Sequence, residues 1–252
     1  MILPNTPRDL VLQTMRNEVP KVEFFIKKEA GRLKKTFLRN FGTFPFFYQT
    51  TYIIPDSRNR YLVWFCANNK RELNTQTARS GCCLILNEDK GKTTVYEYKE
   101  CLIPNTYPKK EIEAVLNVYT GHFFSRYRER AGWGTKLTRD EIIVRYLCRN
   151  AIFISGLPFD KINLNSDKYP GGAAGQVTDG LVLITETHET DTKGLPFTVI
   201  KHNTFIGKTH LKEDQQENML DENEAFALIT KEYGFDAEIR KQLEQEIKRH
   251  SK

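Results

Sequence analysis

Apolar side chains recur at spacings of three and four residues within the first forty positions of the chain. The residues with this spacing are Val22, Phe25, Ile26, Ala30, Leu33 and Phe37. Such spacing places them on one face of an α-helix. The opposite face is basic and carries Lys21, Lys27, Lys28, Lys34, Lys35 and Arg39. The pattern predicts a basic amphipathic N-terminal helix that packs on a sheet through its apolar face.

Short apolar segments separated by turn-forming residues follow this helix. Two predicted strands, Phe46–Ile54 and Arg60–Ala67, flank the turn sequence Pro-Asp-Ser-Arg-Asn. Two more, Cys82–Leu86 and Thr93–Tyr98, flank a polar loop. Strand-like segments on both sides of a short polar turn are typical of antiparallel pairs.

A long helix is predicted over about residues 110–130. Thr138 and Glu141 have the spacing of a capping box, which predicts a second helix that ends near Arg149 and forms a helical hairpin with the first. Six apolar residues share one sector of the first helix: Ile112, Val115, Leu116, Tyr119, Phe123 and Tyr127. We expect this sector to pack on the sheet.

The last third of the chain combines a glycine-rich stretch, a strand hairpin and terminal helices. Residues 170–175, Pro-Gly-Gly-Ala-Ala-Gly, predict a flexible loop. Gly180–Thr187 and Pro196–Ile206 predict a second hairpin of strands. Asn223–Glu232 and Asp236–His250 predict helices at the end of the chain.

The composition favours a soluble globular protein. Apolar residues make up 39% and charged residues 28% of the chain, and no uncharged apolar run approaches the roughly 18 residues of a membrane span. The first ten residues lack the features of a signal peptide, so we expect a cytoplasmic protein without membrane contact. We expect one α+β domain over residues 1–252: an antiparallel sheet with a helical hairpin and the N-terminal basic helix packed on it.

The cysteines and histidines predict neither a disulfide framework nor a metal site. The cysteines are Cys66, Cys82, Cys83, Cys101 and Cys148; their number is odd and no Cys-x2-Cys pair occurs. A metal-dependent hydrolase is a remote alternative, because the usual spacings of metal ligands do not occur. Its site would combine Glu186 and Asp191 in the second hairpin with some of the remaining histidines: His188, His202, His210 and His250. We therefore predict no metal and no cofactor.

Charge is distributed unevenly along the chain. The net charge is +6, but residues 212–252 contain 11 acidic and 7 basic residues and form an acidic tail, so the preceding residues carry a net +10. A basic body is compatible with a polyanionic partner such as nucleic acid, and also with an ordinary solvated surface.

Three basic residues form a ridge along the predicted long helix. His122, Arg126 and Arg130 are spaced i, i+4, i+8 and lie at the border of its apolar sector. Guanidinium groups near a sheet need acceptors, which come either from the protein or from an anionic ligand. The spacing therefore allows two interpretations: an anion-binding or active site, and a buried polar network that ties the helix to the sheet.

This part of the sequence also resembles small RelE-superfamily proteins. Gly121–Arg130 and Leu137–Ile142 are similar to that family's His-x3-Arg-x3-Arg helix and to the helix that follows it. Asp179–Leu183 and Lys201–Ile206 are similar to its later antiparallel strands. The likeness covers roughly residues 115–211 and implies the helix-plus-sheet core of ribonucleases of the barnase, colicin and RelE type.

The resemblance implies an RNA-directed protein, a toxin-like metal-independent endoribonuclease or a relative of one, in the portion from about residue 110 to 211. Such enzymes use the 2′-OH of the substrate as nucleophile and need proton carriers and cations near the phosphate. The residues at matching positions are His122 for proton transfer, Arg126 and Arg130 for the phosphate, and His202 and Thr204 as second proton carrier and hydroxyl donor. RNA and an inhibitory, antitoxin-like protein are the expected partners.

Residues outside the ridge are candidates for nucleic-acid contacts. They are Lys27, Lys28, Lys34 and Lys35 on the N-terminal helix and Trp133 in the turn between the two later helices, where an indole can stack on a base. The competing hypothesis is a non-catalytic nucleic-acid- or protein-binding module, in which the ridge is a structural polar network.

Overall fold

The computed structural model describes most of the chain. The described residues are 1–40, 43–75, 79–87, 92–102, 112–150, 154–155 and 172–211, with the single positions 213, 216, 219 and 224; the side chains of 34–40, 73–75, 102 and 154–155 are not included. The side chains of Lys34 and Lys35 and the predicted helices Asn223–Glu232 and Asp236–His250 therefore lie outside the described residues.

Nine strands and four α-helices are formed by the described residues. The helices are α1 (Arg8–Asn40), α2 (Lys70–Thr75), α3 (Gly121–Arg130) and α4 (Arg139–Arg149). The strands are β1 (Phe46–Ile53), β2 (Arg60–Ala67), β3 (Arg79–Asn87), β4 (Thr93–Leu102), β5 (Ile112–Thr120), β6 (Ile154–Ser155), β7 (Gly172–Val177), β8 (Gly180–Thr190) and β9 (Pro196–Gly207). A 3-10 turn, Lys208–His210, follows β9. The α+β class and the N-terminal helix are confirmed.

The nine strands form one sheet in the order β1-β2-β3-β4-β5-β9-β8-β7-β6. The prediction of an antiparallel sheet is wrong at one point, because β5 and β9 pair in parallel. All other neighbouring strands are antiparallel. The sheet is therefore two antiparallel halves, β1–β5 and β6–β9, joined side by side after the chain has passed through α3 and α4.

The helix predicted over residues 110–130 is wrong in its first half. Ile112–Thr120 is β5, and the helix begins only at Gly121. Four consecutive residues of β5, Ala114 to Asn117, are buried, because helices cover the sheet on both faces. A strand that is buried on both faces loses the alternation of apolar and polar residues, and a short apolar run of this kind cannot be distinguished from a helix by its spacing.

The second half of the sheet confirms one prediction and corrects another. Gly180–Thr190 and Pro196–Gly207 pair as an antiparallel hairpin, as their sequences predict. The loop predicted over residues 170–175 is instead largely strand, since Gly172–Val177 pairs with β8. Small residues are poor strand formers, but β8 supplies a partner for every residue of this segment.

Two hydrophobic cores lie on opposite faces of the sheet. On one face α1 buries Val11, Leu12, Met15, Val22, Ile26 and Leu33 against β2–β5 and β9. On the other face α3 and α4 pack through Phe123, Tyr127, Ile142, Ile143, Tyr146 and Leu147. The basic N-terminal helix and the ridge helix are therefore separated by the thickness of the sheet.

Candidate functional site

Helix α3 begins directly where β5 ends, and this junction sets the direction of its side chains. The hydroxyl of Thr120 caps the helix by accepting a hydrogen bond from the backbone N–H of Phe123 at 3.2 Å. Phe123, Phe124 and Tyr127 are buried in the core beneath α3. The three ridge residues are therefore left at the edge of the helix or facing solvent.

The ridge residues have separate surroundings and do not converge on one site. His122 is exposed. Arg126 forms an ion pair with Glu129 on the same helix, at 2.9 Å, and its side chain is 40% exposed. Arg130 donates a hydrogen bond to the backbone carbonyl of Phe205 on β9. Of the three ridge residues, Arg130 is the one whose hydrogen bond, within the described residues, reaches the sheet.

His202 lies inside the protein. It is 2% exposed, its ring stacks on Tyr119 with centroids 4.0 Å apart, and its Nε2 lies 3.0 Å from the side-chain oxygen of Asn117. Burial, with a smaller contribution from Lys99, lowers the pKa of His202 to about 3. The ring is therefore neutral at pH 7 and serves as a hydrogen-bonding group between β9 and β5. Thr204 is half-buried further along β9, opposite Leu183.

A groove of about 530 Å³ lies at the C-terminal ends of α3 and α4. Its walls come from α3, α4, the β7–β8 turn and the 3-10 turn after β9. Its charged, titratable and aromatic lining residues include Glu129, Arg130, Trp133, Arg149, Asp179, Lys208 and His210. The groove therefore brings two of the predicted site residues, Arg130 and Trp133, together with cationic and titratable groups from distant parts of the chain.

Lys208 and His210 are two of the groove residues that the sequence does not predict as site residues; Glu129, Arg149 and Asp179 are the others with charged side chains. The side chains of Lys208 and His210 are exposed, and the Nδ1 of His210 lies 3.1 Å from the hydroxyl of Thr209. They follow Gly207, where an added Cβ would collide with the backbone carbonyl of Arg130. A Gly-Lys-Thr-His sequence directly after the last predicted strand is a signal for a tight turn that presents polar groups, but it does not reveal that the turn meets α3.

Asp179, in the wall of the groove, is the common acceptor of a polar network. Its carboxylate accepts hydrogen bonds from the Tyr127 hydroxyl at 2.7 Å, from the Arg149 guanidinium at 2.6–3.1 Å and from the Asn150 amide at 3.1 Å. Burial opposes ionisation of this carboxyl, yet the bonds from Arg149, Tyr127 and Asn150 lower its pKa overall. The network ties α3, α4 and the β7–β8 turn together, and it is built by residues other than the ridge.

Trp133 is a half-buried wall of the groove. Its ring lies 6.4 Å from that of Tyr127, and the guanidinium carbons of Arg145 and Arg149 lie 5.0 and 5.6 Å from its centre. Cationic groups at this distance from a ring form cation–π contacts. Stacking of a base on this indole would therefore compete with arginines that already lie against it.

The helical layer around the groove is cationic. Residues 121–150 contain seven arginines and lysines and three carboxylates. Arg128 and Arg130 donate to the backbone carbonyls of Leu137 and Phe205, which are neutral acceptors. Among the residues that the structure describes, neither Arg130 nor Lys208 forms an ion pair. Within the described residues, no carboxylate therefore neutralises the positive charge of these two side chains.

The remaining predicted nucleic-acid residues lie elsewhere. Lys27 and Lys28 are exposed on the outer side of α1, which covers the face of the sheet opposite to α3 and α4. The described part of the chain holds no group of three or more histidine, cysteine, aspartate or glutamate side chains arranged to bind a metal ion. Within the same residues, no helix has the length and apolar character needed to cross a membrane.

Comparisons of the chain with protein-family models, with curated proteins and with solved structures found no match.

Proposed function

We propose that this protein binds single-stranded RNA, and that the backbone phosphates lie in the groove between α3, α4 and the turn after β9. The observation that carries the proposal is the pair Arg130 and Lys208: two cations from distant parts of the chain share one groove without a carboxylate partner among the described residues. A guanidinium held by a neutral carbonyl keeps its charge and its remaining N–H groups for phosphate oxygens.

The groove is suited to a polyanion that enters from solvent. Arg149 adds a third cation, although Asp179 neutralises much of its charge at 2.6 Å. Glu129, 63% exposed on the rim, is paired with Arg126 at 2.9 Å. The choice of RNA rests on the resemblance of residues 115–211 to RelE-superfamily proteins, while the choice of a phosphate ligand rests on the groove itself.

Cleavage of the bound RNA is a second candidate function, and one observation favours it: His210 lines the same groove as Arg130 and Lys208. The 2′-oxygen would attack the phosphorus and give up its proton to His210, while the P–O5′ bond breaks and the leaving oxygen takes a proton from Lys208. This assignment replaces His122 and His202, which do not line the groove. Binding without cleavage needs fewer groups and is the function we favour.

The test is the affinity of the protein for a labelled single-stranded RNA, measured by fluorescence anisotropy. Lys208→Gln and Arg130→Gln should each weaken binding roughly tenfold, the worth of one charge-assisted hydrogen bond. Lys193→Gln is the matched control. Lys193 is also exposed, but it lies in the turn between β8 and β9, at the end of this hairpin opposite to Lys208. Equal loss in all three variants, or no loss in the groove variants, would contradict the proposal.

The same samples answer the question of cleavage on a denaturing gel. If RNA is cut, cutting should continue in EDTA, and His210→Ala should slow it by roughly 10²–10⁴-fold, whereas His122→Ala should not. RNA that is bound normally but remains intact would support the binding function and contradict the catalytic one.

A further inference from the structure

A second pocket, of about 240 Å³, lies where α4 meets the edge strand β1. It is lined by Phe47, Tyr48, Gln49, Glu141 and Arg145. The guanidinium carbon of Arg145 is 4.7 Å from the ring centre of Phe47 and 5.0 Å from that of Trp133. Two aromatic rings therefore hold the guanidinium in place at the wall of the pocket.

Arg145 lacks a hydrogen-bonding partner in the part of the chain that the structure describes. Within the described chain it forms no hydrogen bond and no ion pair, and its Nε is buried without an acceptor. A buried donor without an acceptor costs about 1–3 kcal/mol. The buried Nε cannot reach a ligand, but the Nη groups of Arg145 are not fully buried and have no acceptor among the described residues. This outer edge of the guanidinium therefore remains available to a ligand.

Glu141 is the residue that normal helix spacing would pair with Arg145, four positions later. Instead its Oε2 accepts hydrogen bonds from the backbone N–H of Thr138 at 2.6 Å and from the Thr138 hydroxyl at 2.8 Å. These bonds lower the pKa of Glu141 and keep it ionised. Its other oxygen, Oε1, accepts no hydrogen bond from a described residue.

The pocket thus presents an open guanidinium edge and an open carboxylate oxygen side by side on one helix. A simple anion would be attracted by Arg145 and repelled by Glu141. A guanine base satisfies both: its O6 and N7 accept from a guanidinium fork, and its N1–H and N2–H groups donate to a carboxylate. Adenine, cytosine and uracil lack this combination of two acceptors beside two donors.

We infer that the pocket formed by Glu141, Arg145, Phe47 and Gln49 recognises a guanine base. The inference deepens the proposed function and rests on it, because Trp133 separates the pocket from the groove: its ring contacts Arg145 and it also lines the groove beside Arg130. A strand of RNA with phosphates in the groove would therefore cross Trp133 and place one base in the pocket.

The test compares single-stranded RNAs that contain one guanine, one inosine or one adenine in an oligouridine background. The guanine RNA should bind at least about tenfold more tightly than the adenine RNA, the discrimination expected for one bidentate contact. Inosine lacks the N2 amino group that donates to Glu141, so its affinity should fall between the two. Free guanosine should bind and compete, whereas inorganic phosphate should not displace it.

Two conservative variants distinguish recognition of guanine in the pocket from non-specific attraction between RNA and positive charge. Arg145→Lys keeps the charge and loses the fork, and Glu141→Gln keeps the helix cap, since glutamine also serves in a capping box. Each should abolish the preference for guanine while the oligouridine strand still binds; Lys193→Gln should preserve the preference. Equal affinity for all three RNAs would overturn the guanine site and leave the groove intact. Failure of both RNA and free guanosine to bind would overturn both claims.

Discussion

His202 uses its hydrogen-bonding capacity within the sheet and not at a surface. Its ring stacks on Tyr119 and meets the Asn117 side chain, so it joins β9 to β5 across their parallel pairing. The surrounding core disfavours the imidazolium form, which is why the pKa of His202 falls from 6.5 to about 3. Protonation of His202 therefore lowers the free energy of unfolding of the protein.

The pH dependence of stability should show this effect. Between pH 6.5 and about 3 the unfolded chain binds a proton at His202 that the folded protein excludes. The free energy of unfolding of the wild type should therefore decrease as the pH falls through this window, by up to about 1.4 kcal/mol per pH unit relative to His202→Gln. Denaturation curves for both proteins between about pH 5 and 7 measure the difference between their free energies of unfolding. The contributions of the other titrating groups are the same in both proteins and cancel in this difference. Parallel curves for the two proteins would show that His202 is not excluded from protonation.

The ridge shows what can be predicted from spacing at the level of single residues. The i, i+4, i+8 spacing correctly puts His122, Arg126 and Arg130 along one edge of a helix. It does not predict the partner of Arg130, because the acceptor is the carbonyl of Phe205, 75 residues later. The pair of Arg126 with Glu129, by contrast, is a local i, i+3 contact on the same helix. Contacts that depend on how distant segments meet leave no local pattern in the sequence.

At the scale of the elements, β4 and β5 illustrate which structures a pattern predicts. The strand Thr93–Leu102 and the hairpin β8–β9 are recognisable in the sequence because polar, proline or glycine residues flank them. β5 lacks such a boundary, since Thr120 both ends the strand and caps α3. The capping box of α4 is a strictly local signal, and for that reason the helix from Arg139 to Arg149 could be predicted.

The carboxylate of Asp179 connects the β7–β8 turn to α3 and to the end of α4 by hydrogen bonds. Asp179→Asn removes the charge that Arg149, Tyr127 and Asn150 share. The protein should lose about 1–3 kcal/mol of unfolding free energy, the worth of hydrogen bonds to a charged group, because Arg149 is 39% exposed and can be solvated when its partner is lost. The same variant frees the positive charge of Arg149 in the groove, so RNA should bind more tightly.

Asp140→Asn is the control for this prediction. It breaks the ion pair with Arg60, at 2.6 Å, in which both side chains are about 30% exposed. It should cost about 1 kcal/mol or less and leave RNA binding unchanged. Unfolding in urea measures the stability of each variant, and fluorescence anisotropy measures its affinity for RNA. Weaker RNA binding by a folded Asp179→Asn protein would contradict the role given to Arg149.

For the molecule as a whole, the sheet separates two basic surfaces. Lys27 and Lys28 lie on α1, and Arg130 and Lys208 lie beyond the opposite face. The sequence predicts an excess of positive charge, but it does not indicate how that charge is divided between the two faces of the sheet. Whether α1 and α3 lie on the same face or on opposite faces depends on how the strands are ordered in the mixed sheet. One strand of RNA in the groove would not reach the outer side of α1, so the groove residues should dominate its affinity.

The most direct measurement is the dependence of RNA affinity on salt concentration. If Arg130, Lys208 and Arg149 contact two or three phosphates, the logarithm of the affinity should fall with that of the salt concentration with a slope of about −1.4 to −2, or roughly tenfold between about 50 and 200 mM. Lys208→Gln should reduce the slope by about 0.7, and Lys27→Gln should leave it unchanged. Affinity that does not respond to salt, or a slope that depends on Lys27 and not on Lys208, would contradict phosphate binding in the groove.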